Sequence, residues 1–388
     1  MKLNLRSVIQ ITATIIVVLS CLIYGMYING IIEFRILSIG DMNPYGGWSA
    51  LKSAFMDLSY RWNGFSRSIA LTTGIAVTAL LMGRFFCGYI CPIGAMQDFF
   101  KYVGIKLGLK EVQFSNKIEL LKYIILISVI ILSILGMGNI VSPFSPWLAY
   151  LNIFIGAKFK IGTIVLLLII IVSLFGRRIF CRYFCPLGAF QSLLYAVGPF
   201  KIKKSNCDCS YCLRDCPVSE QQRLSKKNSE LSPECVNCLK CINTCVKGTE
   251  GFRLNFGKKP ISKKTYIIIC ISIIIGAYIL LPLFRGTSTA QAIDKVENVR
   301  DGIYVGSGIG FGGIMNVEVT INNKKITNIN VVNHRETQGY YEEVFREFTY
   351  EITQSQNLNP DAVSGATSTC RGFINSIKDA VSNSIQID

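Results

Sequence analysis

Twelve of the fifteen cysteines in this 388-residue chain fall into three groups of four whose spacings suit metal ligation. The densest run is Cys235-x2-Cys238-x2-Cys241-x3-Cys245, preceded by Cys207-x-Cys209-x2-Cys212-x3-Cys216-Pro217. Three close cysteines on a tight loop can hold one face of an iron–sulfur cube, and a fourth on the following turn reaches a second cube. A four-cysteine zinc ribbon is the alternative for either run, but two interlocked runs at this spacing favour clusters. The third group is a pair of motifs, Cys87-x3-Cys91-Pro92 and Cys181-x3-Cys185-Pro186. Two cysteines four apart share one face of a helical turn and the proline stops the helix, so each motif can present two thiolates to one metal. Beyond the cysteines, Asp361-Ala362-Val363-Ser364-Gly365-Ala366-Thr367 offers small residues whose backbone amides can approach a phosphate. A helix starting after it would favour the anion.

The elements that must position these groups are unusually apolar. Hydrophobic residues make up 51% of the chain, and the mean hydropathy is +0.41. Five apolar stretches, at residues 8–28, 68–83, 120–138, 161–176 and 266–284, approach the ~20 residues that span a bilayer. The first follows only Lys2 and Arg6 and lacks a small-residue cleavage site, so it reads as a retained anchor. Net charge is +16, yet lysine and arginine cluster between apolar stretches. Residues 177–264 carry 17 basic and 6 acidic side chains, whereas residues 285–388 carry 9 and 12. That distribution is the one the positive-inside rule expects and gives no support to a nucleic-acid partner. It puts the N-terminus and the loops at 84–117 and 177–264 in the cytoplasm, and the residues after 285 outside. A disulfide framework fails on location, because all twelve grouped cysteines then face the cytoplasm. Cys21, Cys270 and Cys370 stay unassigned. With a single histidine, His334, a bis-histidine haem is excluded, and that residue reads as a packing or surface side chain.

Residues 83–95 recur at 178–189, with matching cysteines 94 apart. Each copy ends an apolar stretch at the same face, so the repeats are expected to be parallel, about an axis along the membrane normal. Cys87, Cys91, Cys181 and Cys185 are enough to ligate one further cluster at the repeat interface. Two separate redox dithiols, or helix-end thiols that only pack, are the competing readings. Arg84 and Arg178 precede each first cysteine by three residues and read as ordinary positive-inside anchors ahead of counter-charges to a metal centre. Farther on, residues 314–321 and 326–332 alternate as strands around Asn322-Asn323, with helices near 340–355 and 370–382. Ala290-Gln291-Ala292 has the form of a signal-peptidase site within what reads as an ordinary linker.

Three resemblances rest on these residues. The two dense runs are similar to a two-cluster bacterial-type ferredoxin. That implies one [4Fe–4S] cluster on Cys207, Cys209, Cys212 and Cys245, and another on Cys235, Cys238, Cys241 and Cys216. Asn206 stands where the pattern wants the first cysteine, which puts Cys207 in question as a ligand, and Val246 replaces the usual proline after Cys245. Paired Cys-x3-Cys-Pro motifs with this insert resemble the NosR/NapH-like membrane polyferredoxins over residues 68–255. Residues 301–387 resemble the FMN-binding domains of Rnf and Nqr complexes, whose D-x-x-S-G-A-T motif is matched by Asp361, Ser364, Gly365, Ala366 and Thr367. The resemblance implies FMN joined through a phosphoester to Thr367 by a flavin transferase, with Thr369 as fallback. Glu336, Thr337 and Gly339 are implied as weaker cofactor contacts, and Gln338 stands where the family has proline.

The fold class expected is a polytopic α-helical membrane protein of about five spans, with a ferredoxin-like cytoplasmic insert and a C-terminal α+β FMN-binding domain. Its parts run 1–67 (anchor and external loop), 68–200 (membrane core), 201–255 (insert), 256–285 (last span), 286–300 (linker) and 301–388 (flavin domain). A hydrocarbon core of ~30 Å is too wide for one efficient hop, so the paired motifs supply the only intermediate carrier the sequence offers. The expected function is electron transfer in a prokaryotic cell membrane. Electrons would pass between a cytosolic donor such as ferredoxin or flavodoxin and an extracytoplasmic acceptor. The alternative is a membrane redox sensor, or an accessory protein for maturation of a separate metalloenzyme. No acid–base constellation beside the flavin motif points to a substrate site of its own.

Overall fold

The computed structural model describes residues 5–28, 31–32, 37, 39–45, 67–112, 116–134, 142–154, 161–204, 216–218, 230–244, 251–257, 259–283, 299–311, 314–334, 336, 341–358 and 367–384. Apolar runs without internal proline form helices because, once the first turn is nucleated, each further residue fixed adds one backbone hydrogen bond. They give α1 (Leu5–Ile28), the single turn α2 (Ile39–Met42) and α3 (Arg67–Met82). Next come α4 (Pro92–Lys106), α5 (Leu121–Ile134), α6 (Pro146–Ile153) and α7 (Ile161–Phe175). The short α8 (Ile179–Tyr183) leads into α9 (Pro186–Val197). Among the described residues, two helices are long and apolar enough to cross a membrane: α1, over Leu5–Tyr27, and a later one, α11 (Lys263–Leu280). α3 and α7 are apolar but shorter.

The proline of each Cys-Pro pair acts differently from the sequence expectation. It does end a short helical turn, Phe86–Ile90 in one copy and α8 in the other. It then opens the next helix at its first position, where its missing N–H costs nothing. The residue before proline is pushed to extended backbone, and Cys91 (φ −62°, ψ 115°) and Cys185 (φ −75°, ψ 111°) become the N-caps of α4 and α9.

The two repeats exchange partners. α4 of the first packs on α7 of the second, and α9 of the second packs on α3 of the first. Glycine permits both crossings at equivalent positions. A Cβ on Gly104 would lie 2.1 Å from the carbonyl oxygen of Leu174, and one on Gly198 would lie 2.0 Å from that of Leu80.

After α9 come β1 (Phe200–Lys204), α10 (Lys240–Thr244), β2 (Phe252–Phe256) and β3 (Lys259–Pro260), and then α11. The three strands form an antiparallel sheet in sequence order. It rests on α11 through Phe200 stacked at 4.8 Å on Tyr266. The flavin-type domain is a second antiparallel meander of β4 (Gly302–Ile309), β5 (Ile314–Asn322) and β6 (Lys325–Asn333). It is covered by α12 (Tyr341–Ser355) and α13 (Thr367–Ser382). Met315, Val317, Val319 and Ile321 alternate inward along β5, as the strand pattern expects, onto Val344, Phe348, Phe373 and Ile377 of the helices.

Candidate functional site

Cys87, Cys91, Cys181 and Cys185 are all buried. Cys91 lies within electrostatic range of the other three, and Cys181 and Cys185 within range of Cys87. Among the described residues no three His, Cys, Asp or Glu side chains converge closely enough for one metal ion. The second cysteine of each motif stands at a helix N-cap: the N–H of Gly188 donates to Cys185 Sγ at 3.3 Å, whereas Cys91 heads α4 without a side-chain capping bond. Two helix N-termini thus point partial positive charge at the thiols, which suits an anionic centre. Tyr45 Oη lies 3.6 Å from Cys185 Sγ.

Arg84 and Arg178 are not surface anchors. Each is 1% exposed, drawn inside by carboxylates and carbonyls that offset desolvation. Arg178 adopts left-handed backbone (φ 45°) and donates to both oxygens of Asp98, at 2.8 and 2.6 Å, and to the carbonyl of Cys87 at 2.7 Å. Arg84 donates to the carbonyl and carboxylate of Glu234, both at 3.0 Å. Each guanidinium lies over the glycine after the other repeat's Cys-Pro pair. A Cβ on Gly188 would sit 2.9 Å from Arg84 Nη2, and one on Gly94 would sit 3.3 Å from Arg178 Cζ. Burial would raise the Asp98 carboxyl, but the Arg178 and Arg6 guanidiniums outweigh it and hold Asp98 at about 2. Glu234 is likewise held at about 2, because Arg84 and Lys122 outweigh its burial.

The cysteine-rich insert is seated directly on this site. Cys87 packs with Val218, Val236 and Cys238, and Cys216 lies against them. Tyr89 Oη donates to the carbonyl of Cys238 at 3.3 Å, and Arg177 to that of Cys216 at 3.2 Å. Cys216 and Cys238 both act electrostatically on Cys241, so these three members of the expected second set stand together. Asn237 (φ 49°) and Leu239 (φ 56°) hold left-handed backbone between the cysteines. That is rare for leucine, and left-handed residues in a loop are the backbone device by which successive N–H groups can face an anion, as at many iron–sulfur sites. The donor set and the loop fit a cluster. Cys207, Cys209, Cys212 and Cys245 lie outside the described residues, as do Asp361, Ser364, Gly365, Ala366, Thr337, Gly339 and the Ala290–Ala292 segment. Cys21, Cys270 and Cys370 are buried apart in helices α1, α11 and α13.

At the flavin-type domain, α13 begins at Thr367, so the expected helix N-terminus is present. Thr369 is 3% exposed and its hydroxyl donates to buried Glu336 at 2.5 Å. His334 packs edge-on against Phe345 at 5.1 Å, and its Nδ1 accepts the N–H of Glu336 at 3.3 Å, in keeping with a packing role. Desolvation lowers its imidazole below the usual range. α12 also reaches α1. Tyr24 Oη donates to Glu343 at 3.4 Å, Tyr27 Oη donates to Glu347 at 3.0 Å, and Arg346 lies over the Tyr27 ring at 3.9 Å. At the opposite end of α1, Arg6 pairs with Asp98 at 2.5 Å.

Sequence reasoning missed Asp98, Glu234, Lys122, Gln97 and Gln191. Only the two glutamines carried a signal, because they recur 94 residues apart, two positions beyond the end of each repeat copy. Gln97 Nε2 donates to Cys181 Sγ at 3.1 Å.

An FMN-binding domain family model matches residues 310–382, and a 4Fe-4S binding domain model matches twice, at 64–110 and 161–205, once on each Cys-x3-Cys-Pro copy. An uncharacterized protein of Methanocaldococcus jannaschii is 31% identical over 200 residues, 49% of this chain and 81% of that one. The putative electron transport protein YccM of Escherichia coli K12 is 28% identical over 211 residues, 51% of this chain and 58% of YccM. The regulatory protein NosR of Pseudomonas aeruginosa is 28% identical over 199 residues, 48% of this chain but only 27% of NosR. With both domain types present and the paired motifs matched, the chain belongs to the NosR/NapH-like polyferredoxin family and carries an FMN-binding domain.

Proposed function

We propose that this chain carries electrons across a prokaryotic cell membrane, between a cytosolic donor and an extracytoplasmic acceptor. Two [4Fe–4S] clusters on the insert cysteines, one further cluster shared by Cys87, Cys91, Cys181 and Cys185, and FMN on Thr367 are the carriers. Iron–sulfur clusters move single electrons, and a flavin joins one-electron to two-electron chemistry. The chain's own residues hold these groups in order and exclude water between them. The observation that carries the reading is the direct packing of Cys87 against Cys216 and Cys238, which puts the insert's cysteines beside the paired motifs.

A membrane with about five spans is supported by the outward faces of α1, α5, α7 and α11. Leu19, Ile127, Leu168 and Ile275 are each about half exposed, among many large apolar residues on those faces. Patches of that extent suit lipid. The shorter helices α3, α5 and α7, at 14–16 residues, would cross where the bilayer thins around the bundle. α1 joins the insert's end, through Arg6, to the flavin domain, through Tyr24 and Tyr27. That arrangement supports an insert on the cytoplasmic side and a flavin domain outside. Thr369 is committed to Glu336, which leaves Thr367 as the attachment site and calls for a flavin transferase partner.

Cys87→Ser and Cys181→Ser, made separately, test the shared cluster. Each is expected to remove the same electron paramagnetic resonance signal; loss of different signals would mean two dithiol sites. The similarity to NosR, a regulatory protein, favours a second reading, a redox sensor or accessory protein that keeps the cofactors without sustained turnover.

A further inference from the structure

Gln97 and Gln191 occupy equivalent positions in the two repeats, one turn into α4 and α9 beyond the Cys-Pro pairs. Both are 0% exposed. Gln97 is fully engaged: its Nε2 donates to Cys181 Sγ at 3.1 Å and to the carbonyl of Ile93 at 3.3 Å, while its Oε1 accepts the N–H of Phe180 at 3.2 Å. Gln191 is not. Neither its amide nitrogen nor its oxygen has a hydrogen-bond partner among the described residues. By the repeat, the corresponding groups are Cys87 Sγ and the N–H of Phe86. Arg84 Nε, which lies in the field of Cys87, Cys185 and Cys181, also lacks a partner among the described residues.

A buried amide without partners is costly and calls for a specific explanation. A leucine or methionine would fill the same space in an apolar bundle without that cost. A glutamine kept dry at the mate of a residue that bonds a cysteine sulfur indicates a sulfur ligand absent from the protein atoms alone. We infer that Gln97 and Gln191, one from each repeat, donate N–H groups to the sulfurs of the cluster held by Cys87, Cys91, Cys181 and Cys185, and set its reduction potential. The inference rests on the shared-cluster reading proposed above. Reduction adds one electron, hence one negative charge, to a site closed off from water. N–H donors aimed at the sulfurs stabilise that extra charge and raise the potential, as hydrogen bonds to cluster sulfurs do generally. Both glutamines are positioning residues. They neither replace a thiolate nor accept the electron.

The test is a redox titration followed by electron paramagnetic resonance on the full chain in detergent, loaded with iron and sulfide. The signal of interest is the one that Cys181→Ser removes. Gln191→Met and Gln97→Met should each shift its midpoint to more negative potential while leaving the signals of the insert in place. Unchanged midpoints in both variants would overturn the inference. If Gln97→Met fails to load because it also releases Phe180, Gln191→Met decides, since it severs no hydrogen bond among the described residues. A folded Gln191→Met chain that loses this signal alone also supports the inference. If the parent chain loads no such signal, the shared-cluster reading has failed and the inference falls with it, an outcome distinct from an unmoved midpoint.

Discussion

The contact between α1 and α12 can be weighed in free energy and then in rate. Glu343, Arg346 and Glu347 are spaced i, i+3, i+4 on one face of α12 and meet Tyr24 and Tyr27 at the end of α1. Arg346→Ala removes a hydrogen bond of 2.7 Å to the carbonyl of Tyr27 and the guanidinium stacked 3.9 Å over its ring. At an exposed position the first contributes about 1 kcal/mol and the second about 0.5–1 kcal/mol. The sum, about 2 kcal/mol, lowers the ratio of docked to undocked flavin domain roughly 30-fold. If that docking brings the flavin into electron-transfer range, single-turnover reduction of FMN by reductant on the insert side slows as the docked fraction falls. Flavin content and iron–sulfur signals should stay at parent levels. Lys325→Ala, on the strand face of the same domain, serves as the control. Reduction within about twofold of the parent rate in Arg346→Ala would refute the claim that this contact docks the domain.

Two further outcomes are expected from the packing. Gly104→Ala and Gly198→Ala should each destabilise the chain by about 1–3 kcal/mol, because the added methyl meets a backbone carbonyl of the facing repeat. Gly276→Ala on α11, with open space around it, should have little effect on detergent-resistant melting, and equal losses in all three would contradict the exchanged packing. Asp301 accepts the N–H groups of Lys324 and Asn323, each at 2.9 Å, in the β5–β6 turn, and these donors lower its carboxyl. A depressed folded-state value means that the stabilisation is present above the unfolded value, near ~4, and is lost as pH falls through the folded one. Asp301→Asn should therefore flatten the acid limb of the flavin domain's stability below about pH 4. A parallel limb would refute that role.

The two domain types were legible because their motifs are local. Ligand spacing, the repeat at an offset of 94 residues and the Ser-Gly-Ala-Thr motif are all written in short stretches of chain. Strands alternating inward at Met315, Val317, Val319 and Ile321 were legible for the same reason. The buried arginines were not. Arg84 finds Glu234 across 150 residues and Arg178 finds Asp98 across 80, and nothing near either arginine distinguishes a counter-charge from a membrane-edge anchor. The Cys-Pro step was half read. That proline stops a helix is a property of its own ring, whereas its place at the start of α4 or α9 depends on the helix-forming residues beyond it. Exchange of helices between repeats was illegible, since a parallel repeat is compatible with side-by-side packing as well.

The central claim is that electrons cross from the insert to the flavin through the paired motifs. It is tested most directly in sealed vesicles with the insert facing outward, where a membrane-impermeant reductant is added outside and flavin absorbance is followed. The account predicts bleaching of the lumenal FMN in the parent chain and none in Cys181→Ser, with the vesicles intact in both. Bleaching at the parent rate in Cys181→Ser, or none in a fully loaded parent, would contradict it.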